Sequence, residues 1–222
     1  MQIYAANIED VNLSDFNILL NGMSLKKRKE IEKFNNVKDK LRGGLGEILL
    51  RKVLVTEYNF GSDAIKFTFN DYAKPFLEGQ NIQFNISHSG NWVVLAVDDN
   101  LIGIDVEEVK DINYEEILGS ILNDNEFSYI KNSNSKLKTF YTLWTLKESY
   151  IKMIGKGMSI PLKSFTIKSY GQDLWKSACQ YYKRNVNYKN YILDNKSVVS
   201  ICSFKDIFPN EIQIKSVDYL LN

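Results

Sequence analysis

Histidine occurs once in the 222 residues, cysteine twice and proline three times. The two cysteines, Cys179 and Cys202, have no metal-type spacing and are too few for a disulfide framework, which fits a reducing cytoplasm. No apolar run is long enough to cross a bilayer. The N-terminal MQIYAANIEDVNLSDF carries acids and lacks an apolar core flanked by basic residues, so no signal peptide is expected there and no membrane partner either. An excess of one charge is missing too, with 28 Lys+Arg against 27 Asp+Glu. That balance excludes a global basic field for nucleic acid and leaves only local recognition of anions. Low-complexity linkers and short repeats are absent. What remains is a globular composition, 44% hydrophobic, sufficient for one large domain or two small ones with real cores.

The order of elements suggests two α+β halves, residues 1–100 and 101–222, with mostly antiparallel sheets. Gln2–Ala6 reads as an opening strand, and Ser24–Val55 as a helix with Ser24 as N-cap. Ile65–Phe69 alternates as a strand, and Asp71–Pro75 reads as a loop. Trp92–Val97 and Leu101–Glu107 are strand-like runs separated by Asp98-Asp99-Asn100, which reads as a hairpin. Helical stretches follow at Tyr114–Lys131 and Lys138–Ile154, the second stopped by Gly155-Lys156-Gly157. Strands are expected at Phe165–Lys168, Tyr191–Leu193, Val198–Phe204 and Gln213–Val217.

Three segments carry chemistry. In Leu101–Glu107 the two-residue period of a strand puts Ile102, Ile104 and Val106 on one face and Gly103, Asp105 and Glu107 on the other. The two carboxylates then stand side by side, roughly 7 Å apart at their backbones, and repel unless a cation lies between them. Hard oxygen ligands of this kind suit Mg²⁺. Taken alone, an Asp-x-Glu of this sort is more often a solvated edge face. In the helix, Leu143, Leu146, Tyr150 and Ile154 form an apolar stripe, flanked by Trp144, Glu148 and Lys152, with Lys147 at its other border. Glu148 is thereby held beside buried surface, suited to bind a metal or accept a proton, and Lys152 to meet a phosphate. The plain alternative is a Glu–Lys surface pair. The only histidine, His88, sits in Phe84-Asn85-Ile86-Ser87-His88-Ser89-Gly90, and no GxSxG nucleophile elbow accompanies Ser87 or Ser89. A hydrogen bond from His88 to a phosphate or sugar is the functional expectation, a structural turn histidine the other.

FNISHSG at 84–90, GIDVE at 103–107 and WTLKESYIK at 144–152, in that order, resemble the Sfp-type phosphopantetheinyl transferases. Tyr72-Ala73-Lys74-Pro75, the basic Lys26–Lys29 segment, LRGGLGE at 41–47 and GKGMSIPL at 155–162 add to the likeness, which spans nearly the whole chain. The resemblance implies two similar α+β halves related by a pseudo-twofold axis, with the active site between them. It implies a cytoplasmic, monomeric enzyme that moves the 4′-phosphopantetheine arm of coenzyme A, with Mg²⁺, onto a serine of an acyl, polyketide or peptidyl carrier protein. By the same resemblance Asp105, Glu107 and Glu148 would hold Mg²⁺, and Glu148 would activate the carrier serine. Lys152 would contact the pyrophosphate, while Lys27, Arg42, Lys74, Ser87, His88 and Lys147 would hold the 3′-phosphoadenosine end and the diphosphate. Glu126 matches a family acidic position, although Asn123-x-x-Glu126 also reads as a capping box. Two departures stand out: Glu30 lies where some members place a phosphate-binding lysine, and Gly43 replaces a phosphate-touching hydroxyl. Arg42, Lys33 or backbone N–H groups near Gly43-Gly44 are expected to compensate. A Mg²⁺-dependent phosphohydrolase and a non-catalytic coenzyme A-binding module are the competing readings. Carrier docking is expected on about Ile112–Lys136, whose Ile117, Leu118, Ile121, Leu122 and Phe127 exceed the apolar needs of one helix.

Overall fold

The computed structural model describes residues 1–222. Strand β1 (Gln2–Asn7) leads to α1 (Leu13–Leu20), α2 (Leu25–Glu32) and α3 (Val37–Tyr58), then to β2 (Phe67–Phe69), β3 (Pro75–Leu77), β4 (Gln83–Ser89) and β5 (Trp92–Asp98). The second half runs β6 (Ile102–Glu108), α4 (Glu115–Ile121), α5 (Asp124–Lys131), α6 (Lys136–Ile154), β7 (Lys168–Gly171), β8 (Leu174–Cys179), β9 (Arg184–Leu193) and β10 (Ser197–Ser203). The short β11 (Gln213–Ile214) and α7 (Val217–Leu221) close the chain. The strands form two main sheets, β11-β1-β5-β4 and β6-β10-β9-β8-β7, beside the small β2-β3 pair. This is an α+β fold of two similar halves, each a long helix laid on a mainly antiparallel sheet.

Alternation sorts the apolar side chains into three layers. On β5, Val93, Leu95 and Val97 meet Leu45, Leu49 and Val53 of α3. The intervening Trp92, Val94 and Ala96 meet Ile102, Ile104 and Val106 of β6, so the two sheets face one another through a shared core. Beyond the second sheet, Phe140, Leu143, Leu146 and Tyr150 of α6 pack on Val198 and Cys202 of β10 and Tyr188 of β9. A strand buried on both faces carries no polar alternation, and β5 has none.

The expected hairpin between Trp92–Val97 and Leu101–Glu107 is not formed. β5 is already paired on both edges, with β1 and β4, while β6 pairs with β10. Asp98-Asp99-Asn100 is the crossing from one sheet to the other. The Asp98 carboxylate pins it by pairing with the N-terminal ammonium at 3.0 Å and Lys205 at 2.8 Å. The long helix expected over Ser24–Val55 is broken at Asn36, whose side chain caps α3 by accepting from Lys38 N. Ser24 does cap α2. The 114–131 helix is likewise split by an Asn123 cap. Residues 165–167 are not a strand, since β7 starts at Lys168, and residues 213–217 give only two strand residues before α7. β11 pairs in parallel with β1, and Leu220 enters the first core, so the last residues return to the first half.

Candidate active site

β4 and β6 are edge strands of their sheets and meet where the halves meet. An edge strand leaves outward N–H groups unpaired. Here side chains of β4 fill them: Ile104 N–H donates to Asn85 Oδ1 at 2.8 Å, and Glu108 N–H to Ser89 Oγ at 3.2 Å. The same row of β4 side chains supports the acids of β6. Ser87 Oγ donates to Asp105 Oδ1 at 2.8 Å, and Ser89 Oγ to Glu107 Oε2 at 2.7 Å. Sequence reading did not pick out Asn85 or Ser89 as site-supporting residues. The signal was present, because Asn85, Ser87 and Ser89 recur at the two-residue period that singled out Asp105 and Glu107.

Above β6 lies α6. A Cβ on Gly103 would stand 1.9 Å from the Ser149 carbonyl oxygen and 2.6 Å from Met153 N, so only glycine lets the helix settle this close. That closeness brings Lys152 Nζ to 2.6 Å from Asp105 Oδ1 and 2.7 Å from Ser87 Oγ. Asp105 is 3% exposed, and its second oxygen, Oδ2, is buried without a hydrogen-bond partner. Burial, then the Asp105 and Glu107 charges, pushes the Glu148 carboxyl above the usual carboxylate range, with Lys152 opposing. Glu107 is raised by burial and by Asp105, against a lowering hydrogen bond from Ser89. Asp105, Glu107, Glu148 and Lys152 thus form one electrostatic cluster.

On the opposite face of β4, Phe84, Ile86 and His88 line a pocket of about 760 Å³. Its other walls come from α2, α3 and the β2-β3 pair, and include Lys27, Glu30, Phe34, Arg42 and Pro75. His88 links pocket to cluster: partial desolvation, then the charges of Lys152 and Arg42, lower its pKa. Its ring is therefore held neutral near pH 7, fit to donate one hydrogen bond rather than to act as a cation. A larger hollow of about 1100 Å³, on β8 and β9, contains none of the expected site residues.

Two family models divide the chain between them. The "4′-phosphopantetheinyl transferase superfamily" model matches residues 101–201, and the "4′-phosphopantetheinyl transferase, N-terminal" model matches residues 11–100. The 4′-phosphopantetheinyl transferase Sfp of Bacillus subtilis (strain 168) is 33% identical over 202 residues, 90% of each chain. The chain belongs to the 4′-phosphopantetheinyl transferase superfamily. Its relative ffp of Bacillus subtilis is 32% identical over the full length of both. Relative gsp of Aneurinibacillus migulanus is 44% identical over 154 residues, which is 68% of this chain and 64% of that one.

Against this family background, several expected ligands lie elsewhere. Lys147 is fully buried, and its Nζ is 2.8 Å from Glu126 Oε2, 2.7 Å from the Leu162 carbonyl and 3.0 Å from the Phe165 carbonyl. An ammonium so occupied has no donor to offer a phosphate, so its expected role as a coenzyme A ligand is corrected to a structural one. Glu126 closes the capping box on Asn123 and also accepts from Ile167 N at 2.8 Å. Lys74 is 8% exposed, with Nζ on the Met153 carbonyl at 2.9 Å, so its ammonium is turned away from the pocket that Pro75 lines. Arg42 does line the pocket but is held by Asp39 and by the Gly90 carbonyl at 2.5 Å. Gly43 and Gly44 lie inside α3, where their N–H groups serve the helix and are not free for an anion. The ring of Phe34 fills the space beside Gly43. Lys33 does not line the pocket.

Lys147→Met leaves Glu126 buried without its cation. Stability is expected to drop by about 3 kcal/mol, the low end for breaking a buried pair, because Glu126 keeps its backbone donors. Thermal unfolding checks this, with coenzyme A affinity of the folded variant unchanged. A normal melting temperature with weakened binding would restore Lys147 to the pocket.

Proposed function

We propose that this enzyme transfers 4′-phosphopantetheine from coenzyme A to a serine of an apo carrier protein and releases 3′,5′-ADP. The observation that carries the reading is the convergence of Glu148 and Lys152 of α6 with Asp105 and Glu107 of β6 beside the His88 pocket. In this reading the 3′-phosphoadenosine end occupies that pocket, with Lys27 and Arg42 on its walls and His88 and Ser87 toward the diphosphate. The halves divide near residue 100, and the enzyme works as a cytoplasmic monomer.

The donor chemistry of the cluster suits Mg²⁺, although the three carboxylates do not converge as a ready-made metal site and would have to close on the ion. Three carboxylates repel one another, one Asp105 oxygen is buried and unpartnered, and a hard cation is what such oxygens take. Asp105, Glu107 and Glu148 would hold it, and the ion would supply neutralising charge at the diphosphate. The remaining chemistry belongs to the chain. The carrier serine oxygen attacks the β-phosphorus, and the bond from that phosphorus to the oxygen of 3′,5′-ADP breaks. Glu148 accepts the serine proton, directly or through a water. Lys152, poised on Asp105 and Ser87, takes up charge on the departing phosphate. The nucleophile belongs to the partner, which agrees with the lack of a nucleophile motif here.

Incubation with coenzyme A, Mg²⁺ and a panel of apo-carriers, followed by weighing the carriers, tests this. One added phosphopantetheinyl group per carrier supports it. Release of 3′,5′-ADP without any carrier would favour a phosphohydrolase instead, and coenzyme A binding without turnover would favour the binding module. For docking, Leu118, Ile121 and Leu122 are consumed by the second core, which leaves Ile112, Ile117 and Phe127 exposed for a carrier. Crosslinks confined to the first half would refute that surface.

Glu30 lines the same pocket as Lys27, Arg42 and His88 and pairs with no cation. Weak discrimination against 3′-dephospho-coenzyme A follows, about tenfold or less in kcat/KM, because solvent reduces the worth of a charged hydrogen bond. Glu30→Lys is expected to sharpen the preference, and His88→Ala to erode it. Steady-state kinetics with both substrates decides, and a large wild-type preference untouched by Glu30→Lys would place Glu30 outside the phosphate's reach.

A further inference from the structure

The last turns of α6 carry Glu148 and Lys152, and an α-helix leaves its final carbonyls without intrahelical partners. Gly155 N–H satisfies the Ile151 carbonyl. Two more carbonyls at this end are taken by side chains from the other half of the molecule. Lys74 Nζ donates to the Met153 carbonyl at 2.9 Å, and Asn70 Nδ2 to the Gly155 carbonyl at 2.7 Å. Asn70 also holds its own loop closed: its Oδ1 accepts from Tyr72 N at 3.0 Å and Lys74 N at 2.9 Å. Ala73 turns the chain in the left-handed region, φ 61°.

The fit at the helix end is close. Gly155 has φ 74°, and a Cβ there would stand 2.6 Å from Lys74 Cδ. None of the chain's ten ion pairs includes Lys74. Burial lowers its pKa to about 8, so the amine is kept inside at a cost and is still mainly protonated at pH 7. A buried cation without a carboxylate, set on a helix C-terminus, answers the negative end of the helix dipole. From below, β6 meets the same two turns at Gly103. The helix end is thus fixed from both halves, within two turns of the acid and the lysine that do the chemistry.

We propose that Asn70 and Lys74 are positioning residues: the first half uses them to cap the C-terminus of α6 and so sets Glu148 and Lys152 against Asp105 across the cleft. This rests on the transfer roles given to Glu148 and Lys152 above. Neither side chain of the cap lines the His88 pocket. The cap couples the half that binds the nucleotide to the helix that reacts, and misplacement of reacting groups by even about 1 Å is costly in rate.

Lys74→Met keeps the length of the stem and removes the charged donor. Transfer rate at saturating coenzyme A and carrier is expected to drop by about tenfold or more. Coenzyme A affinity by calorimetry is expected to stay within about twofold, because the ammonium is not in the pocket. Hydrogen exchange is expected to quicken at Ser149–Gly155 and nowhere else. Asn70→Asp should give the same pattern, since it retains the acceptor for the loop but sets a negative charge on the helix's negative end. It also decides the matter if Lys74→Met does not fold. A loss of affinity with normal saturated rate would overturn the proposal and return Lys74 to ligand binding. So would a lowered melting temperature with normal rate and normal exchange, which would mark mere packing. If wild type modifies no carrier, the transfer reading fails, while the exchange measurement still decides whether the cap holds the helix.

Discussion

Asp105→Ala is expected to lower phosphopantetheinyl transfer by about a thousandfold, the upper range for removing one preorganised charge-stabilising group. Asp105 touches or polarises every other charged member of the cluster. It holds Lys152 and Ser87 through Oδ1, presents a bare buried Oδ2, and raises both Glu107 and Glu148. Its loss frees Lys152 from its only carboxylate partner and withdraws one of the acids suited to a hard cation. The fold should survive, because Ile102, Ile104 and Val106 point to the opposite face and the β6–β10 register does not depend on the side chain. A second signature follows from the electrostatics. With the Asp105 charge gone, the Glu107 and Glu148 carboxyls should titrate at lower pH than in wild type. Carrier mass against time measures the first effect, and NMR titration the second. Activity retained within about threefold, with unmoved titrations, would remove Asp105 from the site.

The cluster was legible because both of its elements keep strict periods. Alternation in GIDVE separates a core face from an acidic face, and the 3.6-residue period puts Glu148 and Lys152 on one flank of α6. What periodicity does not carry is the partner of each face. Lys147 sits at the border of the apolar stripe, as expected, but the 162–165 segment folds over it and supplies two carbonyls, which no local pattern announces. The apparent hairpin failed for a similar reason. Two strands joined by Asp-Asp-Asn look alike whether they pair with each other or with strands distant in sequence, and β5 had both edges filled already. β8 went unread because Leu174–Cys179 mixes Trp175 and Lys176 without a clean apolar alternation. The glycines of LRGGLGE mark close packing of α3, where a Cβ on Gly44 would meet Phe16 and one on Gly46 would meet Ile86.

Glu148→Gln is expected to separate activity from stability. The amide keeps the shape of the side chain but accepts no proton, so transfer should drop by roughly a hundred- to ten-thousandfold, the usual worth of a general base. Coenzyme A should still bind, since the pocket residues on α2, α3 and β4 are untouched. Stability should move the other way. The folded-state pKa of Glu148 is raised by burial and by Asp105 and Glu107, so the ionised form is less at ease in the folded protein than in the unfolded chain. Below the unfolded value of about 4.3 the carboxyl is protonated in both states and costs nothing. As pH rises from there through the folded-state value, the unfolded chain ionises first, and stability is lost until the folded protein has ionised too. The penalty is therefore present at pH 7 and absent well below the unfolded value. Removing the charge should therefore raise the melting temperature of the metal-free, ligand-free protein at pH 7, and the gain should vanish near pH 4. Melting curves of both proteins at the two pH values check the sign. Coenzyme A lost from the variant with a normal saturated rate would sink the base assignment. An unchanged or lowered melting temperature at pH 7 would show that Lys152 already offsets the repulsion around Glu148.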